Sequence, residues 1–213
     1  VIVIFIGPPA SGKGTQATLI SGMFKLPYLS TGNILRNVSS GNTQDSTELK
    51  AIISSGKLVS TDLVNRLVGK ELDKDEYKRG FVLDGYPRNL SQAEFLDKKF
   101  PNAKVKVIFF DISYDDLVAR ATGRYSCKDC GAIYNKISVR TRVENECDMC
   151  GSHSFVTRDD DNIEVLAARW KEYMEQTMHL VAYYNAKSVL VKIDANMKKE
   201  DITHKLVTEL KRN

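Results

Sequence analysis

Four short runs of the chain are predominantly apolar rather than alternating: residues 1–6, 81–83, 105–110 and 189–193. A strand with one wet face alternates, whereas a strand covered on both faces does not, so these runs predict buried strands of a parallel sheet. A shorter fifth candidate is 27–29. Helix-like stretches lie between them. Residues 14–24 follow the first strand, 114–121 follow the third long one, and 91–99 open with Ser91 and carry Glu94 three positions on, a capping-box pattern. The longest predicted helix is 163–184, where Ile163, Leu166, Ala167, Trp170, Met174, Thr177, Val181 and Tyr184 recur at helical spacing, and the last is 199–210. This alternation predicts an α/β fold with a doubly wound, five-stranded parallel sheet. Residues 124–158 break the pattern. They give no strong helix signal, contain short β-like pieces and hold all four cysteines, so they read as a small β-rich insertion of the kind that forms lids over an active face.

Composition narrows the class. With 213 residues and 42% hydrophobic content, the chain can build one compact domain with small insertions. Its 31 basic and 27 acidic residues are interleaved, with no basic stripe, which argues against a nucleic-acid partner. No apolar run approaches the ~18 residues of a membrane span. The first run lacks a basic region ahead of it and is a poor signal peptide. The expected compartment is the cytoplasm, with no membrane partner. Four cysteines in two tight pairs, without an export signal, point to a metal rather than to disulfides.

The first strand runs into Gly7-Pro8-Pro9-Ala10-Ser11-Gly12-Lys13-Gly14-Thr15 and then a helix. In that context the segment reads as a P-loop. Gly7 and Gly12 permit a tight turn, backbone N–H groups and the helix N-terminus face phosphates, Lys13 reaches the β- and γ-phosphates, and Thr15 brings a hydroxyl to Mg²⁺. The usual pattern puts the hydroxyl residue directly after the lysine; here Gly14 intervenes. Asp84 ends the second long strand, where a carboxylate can hold Mg²⁺ or its waters. Arg36, Arg88, Arg124, Arg158 and Arg169 are candidates for the charge that phosphoryl transfer requires around a dispersed anionic transition state.

The motifs Ser30-Thr31-Gly32, Gly56-Lys57-Leu58-Val59, Leu83-Asp84-Gly85-Tyr86-Pro87-Arg88-Asn89-Leu90-Ser91-Gln92, Gly123-Arg124 and Arg158-Asp159-Asp160-Asp161, with Arg169 beyond, complete a set. Along nearly its whole length the sequence resembles the adenylate kinases, within the nucleoside monophosphate kinases. The resemblance implies reversible phosphoryl transfer between ATP and AMP with Mg²⁺, by a monomer acting on ATP, AMP and ADP. It implies a core of 1–29, 60–122 and 160–213, an AMP-binding segment 30–59, and a lid 123–159. Lys13, Arg88, Arg124, Arg158 and Arg169 would be catalytic. ATP would be held by Ala10, Ser11, Gly12, Lys13, Gly14, Thr15, Arg120, Arg124, Ile133, Tyr134 and Met197. AMP would be held by Thr31, Arg36, Lys57, Leu58, Val59, Gly85, Tyr86, Pro87, Arg88, Gln92, Arg158 and Arg169. Gln92 offers both a donor and an acceptor, which the Watson–Crick edge of adenine asks for. Asn33 stands where these enzymes usually carry Asp, and Ala195 where many carry Gly.

Cys127-x₂-Cys130 and Cys147-x₂-Cys150, sixteen residues apart, have structural-zinc spacing, and a glycine follows each pair. Four thiolates would fill a tetrahedral Zn²⁺ site and leave no open position for catalysis; disulfides, free thiols, or Fe or Co are the alternatives. The lid resembles that of the zinc-bearing branch of the family. It lacks the Asn-Pro-Pro run common there after the tyrosine. His153, His179 and His204 fall outside any catalytic pattern. The competing readings are a kinase for another nucleoside monophosphate and a nucleotide-dependent nucleic-acid-binding P-loop protein that uses the cysteine module as a ribbon.

Overall fold

The apolar runs form strands of one parallel sheet in a computed structural model of the chain; the first is buried throughout, whereas the last, Leu190–Asp194, lies at the sheet edge with only Ile193 buried. The structure describes residues 1–41, 44–54, 59–136, 139–157 and 162–212, without the side chains of 44, 45, 48, 53 and 54. In chain order the strands are β1 (Ile2–Ile6), β2 (Tyr28–Ser30), β3 (Phe81–Asp84), β4 (Val105–Asp111), β5 (Arg124–Cys127), β6 (Ile133–Asn135), β7 (Phe155–Val156) and β8 (Leu190–Asp194). The α-helices are α1 (Lys13–Phe24), α2 (Thr31–Ser39), α3 (Gln44–Ser54), α4 (Thr61–Leu72), α5 (Leu90–Lys99), α6 (Tyr114–Thr122), α7 (Ile163–Glu172), α8 (His179–Ala186) and α9 (Lys199–Lys211).

Among the described residues, five strands build one parallel sheet in the order β2-β3-β1-β4-β8. Its central strand β1 is buried at every position. Ile2, Ile4 and Ile6 face one core layer, with Val64 and Val68 of α4, Leu96 of α5 and Leu180 of α8. Val3 and Phe5 face the other, with Ala17 and Ile20 of α1, Leu117 of α6 and Leu206 of α9. Side chains that alternate between two apolar layers require the unbroken run seen in the sequence. From β1 the chain passes through α1 to the edge strand β2, whereas from β3 it passes through α5 to β4 on the other side. Adjacent strands whose connections diverge leave a crevice at their carboxyl ends. The register Phe5↔Asp84 puts Asp84 at that crevice, level with the end of β1.

Residues 124–156 contain a separate antiparallel sheet, ordered β6-β5-β7, as the cysteine-rich insertion predicts. Its small core is Cys127, Tyr134 and Cys147, with Tyr125 and Phe155 packed around them.

Three expectations change. The predicted single helix over 163–184 is interrupted: α7 ends at Glu172, Tyr173–Thr177 form a π turn in which Met178 N–H donates to Tyr173 O at 3.0 Å, and α8 begins at His179. The extra residue in that turn rotates the buried face, so Tyr173 and Leu180 are buried while Met174, expected inside, is exposed. The cap expected at Ser91 sits two residues earlier. Asn89 Oδ1 accepts the Gln92 N–H at 3.0 Å, and Gln92 Oε1 accepts the Arg88 N–H at 2.7 Å rather than that of Asn89. Helices α2, α3 and α4 occupy a stretch where the strand–helix reading leaves a gap, although Val64, Val68 and Leu72 recur every four residues behind the Ser60 cap.

Asn89 also donates to Thr61 Oγ1 at 2.9 Å, tying α5 to α4. Asn89→Ala should therefore destabilise the chain by about 1–2 kcal/mol, seen as a lower urea midpoint at unchanged slope. An unchanged midpoint would show that neither bond contributes.

Candidate active site

The loop between β1 and α1 is shaped by close approach. A Cβ on Gly7 would lie 2.9 Å from Phe110 O, and Gly12 has φ +91°, so neither position accepts an ordinary side chain without strain. Gly12 caps α1 without a side-chain bond, which leaves the first N–H groups of a twelve-residue helix facing the loop. Ala10 has a positive φ of 58°, and Ser11 Oγ is buried with no partner among the described residues. Unpaired donors at a helix N-terminus suit phosphate oxygens. Thr15 lies half-buried in the first turn of α1.

Lys13 stands at the centre. Its Nζ donates to Pro8 O at 2.6 Å. Burial drives its pKa down from the ordinary lysine value to about 7; the Asp84 carboxylate opposes this, and the charges of Arg88, Arg124 and Arg169 add to it. Four cations from β1–α1, the β3–α5 loop, β5 and α7 therefore share one field. Lys13, Arg88 and Arg169 line a common cavity with Gly7, Pro9, Gly85, Pro87, Glu172, Tyr173 and Thr177. Asp84 is aimed by Tyr28, whose hydroxyl donates to Oδ2 at 2.9 Å, and a Cβ on Gly14 would sit 3.1 Å from the same oxygen. The carboxylate thus lies against the P-loop helix, where a hard cation bound to phosphates would meet it.

Arg88 Nε donates to Gly85 O at 3.0 Å, and Thr31 Oγ1 donates to that carbonyl at 2.8 Å. Arg36 is held against Gly32 by Asn33, whose Oδ1 accepts from Arg36 Nη2 at 2.6 Å. The unusual Asn33 is thereby engaged with a site arginine. Arg120 Nη2 donates to Ala195 O at 2.7 Å, beside Met197. Gln92 is buried, with its amide oxygen fixed by Arg88 N–H.

Some expected side chains point elsewhere. Tyr86 is fully buried, and its hydroxyl donates to Asn65 Oδ1 at 2.6 Å. Val59 packs in the main core. The Tyr134 ring is 5% exposed inside the lid, next to the half-buried Ile133. Contacts from Tyr86, Val59 and Tyr134 to a nucleotide would have to use backbone. Lys57, Leu58 and Arg158 lie outside the described residues. Tyr28, Glu172, Tyr173 and Thr177 are at the site without being expected there. Thr177 carried a helical-period signal, but one that assigned it to the core.

The four cysteine sulfurs lie within 4.8 Å of one another, with Cys127–Cys150 at 3.6 Å and Cys130–Cys147 at 3.5 Å. A tetrahedron of Zn–S bonds near 2.3 Å has edges of about 3.8 Å, so the set fits a Zn²⁺ ion. The two halves are built alike: Gly131 N–H donates to Cys127 O and Gly151 N–H to Cys147 O, and both glycines have φ near the left-handed value, +74° and +70°. Burial alone would push the Cys147 thiol up. Bonds from the Tyr134 hydroxyl and from the Met149 and Cys150 N–H groups outweigh it and hold the thiol down at about 6. That favours the thiolate a metal takes.

A sequence model of the family described as adenylate kinase matches residues 5–189. The chain belongs to the adenylate kinase family. It is 43% identical over 183 residues to an adenylate kinase of Rickettsia africae, covering 86% of each chain. It is 39% identical over 212 residues to that of Rickettsia rickettsii, covering 100% of each. With the enzyme of Orientia tsutsugamushi it shares 42% over 205 residues, 96% of each. The parallel sheet and the cysteine cluster agree with this assignment.

Tyr134 Oη accepts the Asp148 N–H at 2.8 Å and lies 3.3 Å from Cys147 Sγ. Phenylalanine would keep the ring and lose both bonds. Tyr134→Phe should weaken Zn²⁺ binding by about 10–100-fold in competition with a chromophoric chelator. Binding within twofold of the parent would contradict this role.

Proposed function

We propose that the chain transfers the γ-phosphoryl group of ATP to AMP, reversibly, giving two ADP. The observation that carries this reading is the convergence of Lys13, Arg88, Arg124 and Arg169 on the P-loop, beside Asp84. A phosphate oxygen of AMP attacks the γ-phosphorus, the bond to the β–γ bridging oxygen breaks, and ADP leaves with that oxygen. Charge balances without a proton, so the protein's task is to position the reactants and stabilise the anion.

The P-loop backbone from Ala10 to Thr15 cradles the ATP phosphates, and Lys13 follows the transferring group. Arg88 and Arg36 hold the AMP phosphate, while Arg124, Arg158 and Arg169 cover the phosphoryl in flight, their planar forks matching its oxygens. Mg²⁺ carried by ATP supplies further charge neutralisation, with Asp84 and Thr15 as the residues that would hold it or its waters. Thr31 and Gln92 select adenine in the AMP pocket, and Arg120, Ile133 and Met197 border the ATP base. The cysteine set holds a structural Zn²⁺ that staples the lid, 123–159, and the lid and the 30–59 segment close on the core to exclude water. The protein acts as a cytoplasmic monomer on small-molecule nucleotides. No helix among the described residues is long and apolar enough to cross a membrane.

With Mg·ATP, the purified chain should form ADP rapidly with AMP and far more slowly with CMP, UMP or GMP, with little hydrolysis when no acceptor is present. Arg169→Ala should lower kcat by about 10³-fold or more without changing the fold. Preference for another acceptor would overturn the reading of Thr31 and Gln92. Absence of transfer to any acceptor would overturn the kinase reading.

A further inference from the structure

The π turn lies where the C-terminal helices face the site. In a regular α-helix at 100° per residue, Thr177 would stand about 80° around the axis from Arg169. The widened turn of Tyr173–Thr177, closed by the bond from Met178 N–H to Tyr173 O, brings Thr177 back toward Arg169, and both line the cavity that holds Lys13 and Arg88. There Thr177, a residue only 8% exposed, donates its hydroxyl to Arg88 O at 2.9 Å. This completes an unusual set of restraints on a loop residue. Arg88 N–H is held by Gln92 Oε1 at 2.7 Å, its carbonyl by Thr177, and its own Nε by Gly85 O at 3.0 Å. The two side chains that hold its backbone come from α5 and from the π turn, which are far apart in sequence.

We propose that Thr177 is a positioning residue for Arg88, and that the π turn serves to bring its hydroxyl to the Arg88 carbonyl. A guanidinium on a loop can grip a phosphate at low entropic cost only if the peptide that carries it is already fixed. The bond also ties the π turn that continues α7, the helix of Arg169, to the loop that supplies Arg88. The inference rests on the reading that Arg88 holds the AMP phosphate.

The test compares Thr177→Val, which keeps the shape and loses the donor, with Thr177→Ser, which keeps the donor. Steady-state KM for AMP and for ATP, kcat and the melting temperature are measured for each, alongside Arg88→Ala and the Arg88→Ala/Thr177→Val double variant. Thr177→Val should raise KM for AMP by about 5–100-fold, because the arginine that grips the phosphate is loosened when its carbonyl loses its donor. KM for ATP should stay within twofold, and Thr177→Ser should restore AMP affinity. In the Arg88→Ala background the valine should add little to KM for AMP, because the two act as a unit. A lower melting temperature for Thr177→Val with both KM values unmoved would overturn the inference and leave Thr177 a packing residue. If Arg88→Ala itself leaves KM for AMP unchanged, the reading of Arg88 fails and the inference fails with it.

Discussion

The phosphate loop depends on burying positive charge in a site that holds no anion until a ligand enters. Lys13, Arg88, Arg124 and Arg169 act on one small region, and Asp84 is the opposing charge that acts on Lys13 there. Crowding cations in a partly buried site costs free energy in the empty protein, and the cost becomes useful only when phosphates enter. Burial first, and the arginine charges after it, lower the Lys13 pKa to about 7, so its proton is held weakly until an anion arrives. Hydrogen bonds to neutral groups help to orient such cations. Pro8 O takes the Lys13 ammonium, Gly85 O takes Arg88 Nε, and Asn33 takes Arg36. These three acceptors are neutral.

The fold supplies the anchors from separate places. The parallel sheet brings the ends of β1 and β3 side by side, so the P-loop and the Asp84–Arg88 segment meet although Lys13 and Asp84 lie 71 positions apart in the chain. The π turn carries Thr177 to the Arg88 carbonyl, and β5 places Arg124 at the root of the cysteine-rich sheet. That sheet is too small to bury a core of its own: Cys127, Tyr134 and Cys147 are its only buried apolar cluster among the described residues. A metal held by the four thiolates would supply the cross-linking that so small an apolar cluster cannot.

The sheet and the phosphate loop were legible because their signals are local. An unbroken apolar run ending in Gly7-Pro8-Pro9-Ala10-Ser11-Gly12-Lys13 admits few other structures, and two Cys-x₂-Cys-Gly turns at sixteen-residue spacing specify a compact thiol cluster. What was not legible depends on tertiary register. A period of 3.6 applied through 163–184 predicts one helix; the inserted turn at Tyr173 changes which residues face inward, and nothing local in Tyr173-Met174-Glu175-Gln176-Thr177 announces it. Ser91 and Glu94 satisfied the capping-box pattern, yet Asn89 is the cap because Gln92 is drawn to Arg88. Tyr134 was expected at a nucleotide and is instead turned toward Cys147, a choice set by how the lid packs.

The most direct test of the central claim is calorimetry of a dinucleoside pentaphosphate, which carries no group ionising near neutrality, binding at pH 8 in buffers of different ionisation enthalpy. With a Lys13 pKa of about 7 in the empty site, the side chain is mostly neutral at pH 8, and phosphates beside it must raise that pKa and draw in a proton. The account predicts uptake of about one proton per chain at pH 8, little uptake from this group at pH 5.5, where the lysine is already charged, and loss of the pH 8 uptake in Lys13→Met. Tight binding at pH 8 with no proton taken up would contradict it, because the lysine would then be fully charged before the ligand arrives.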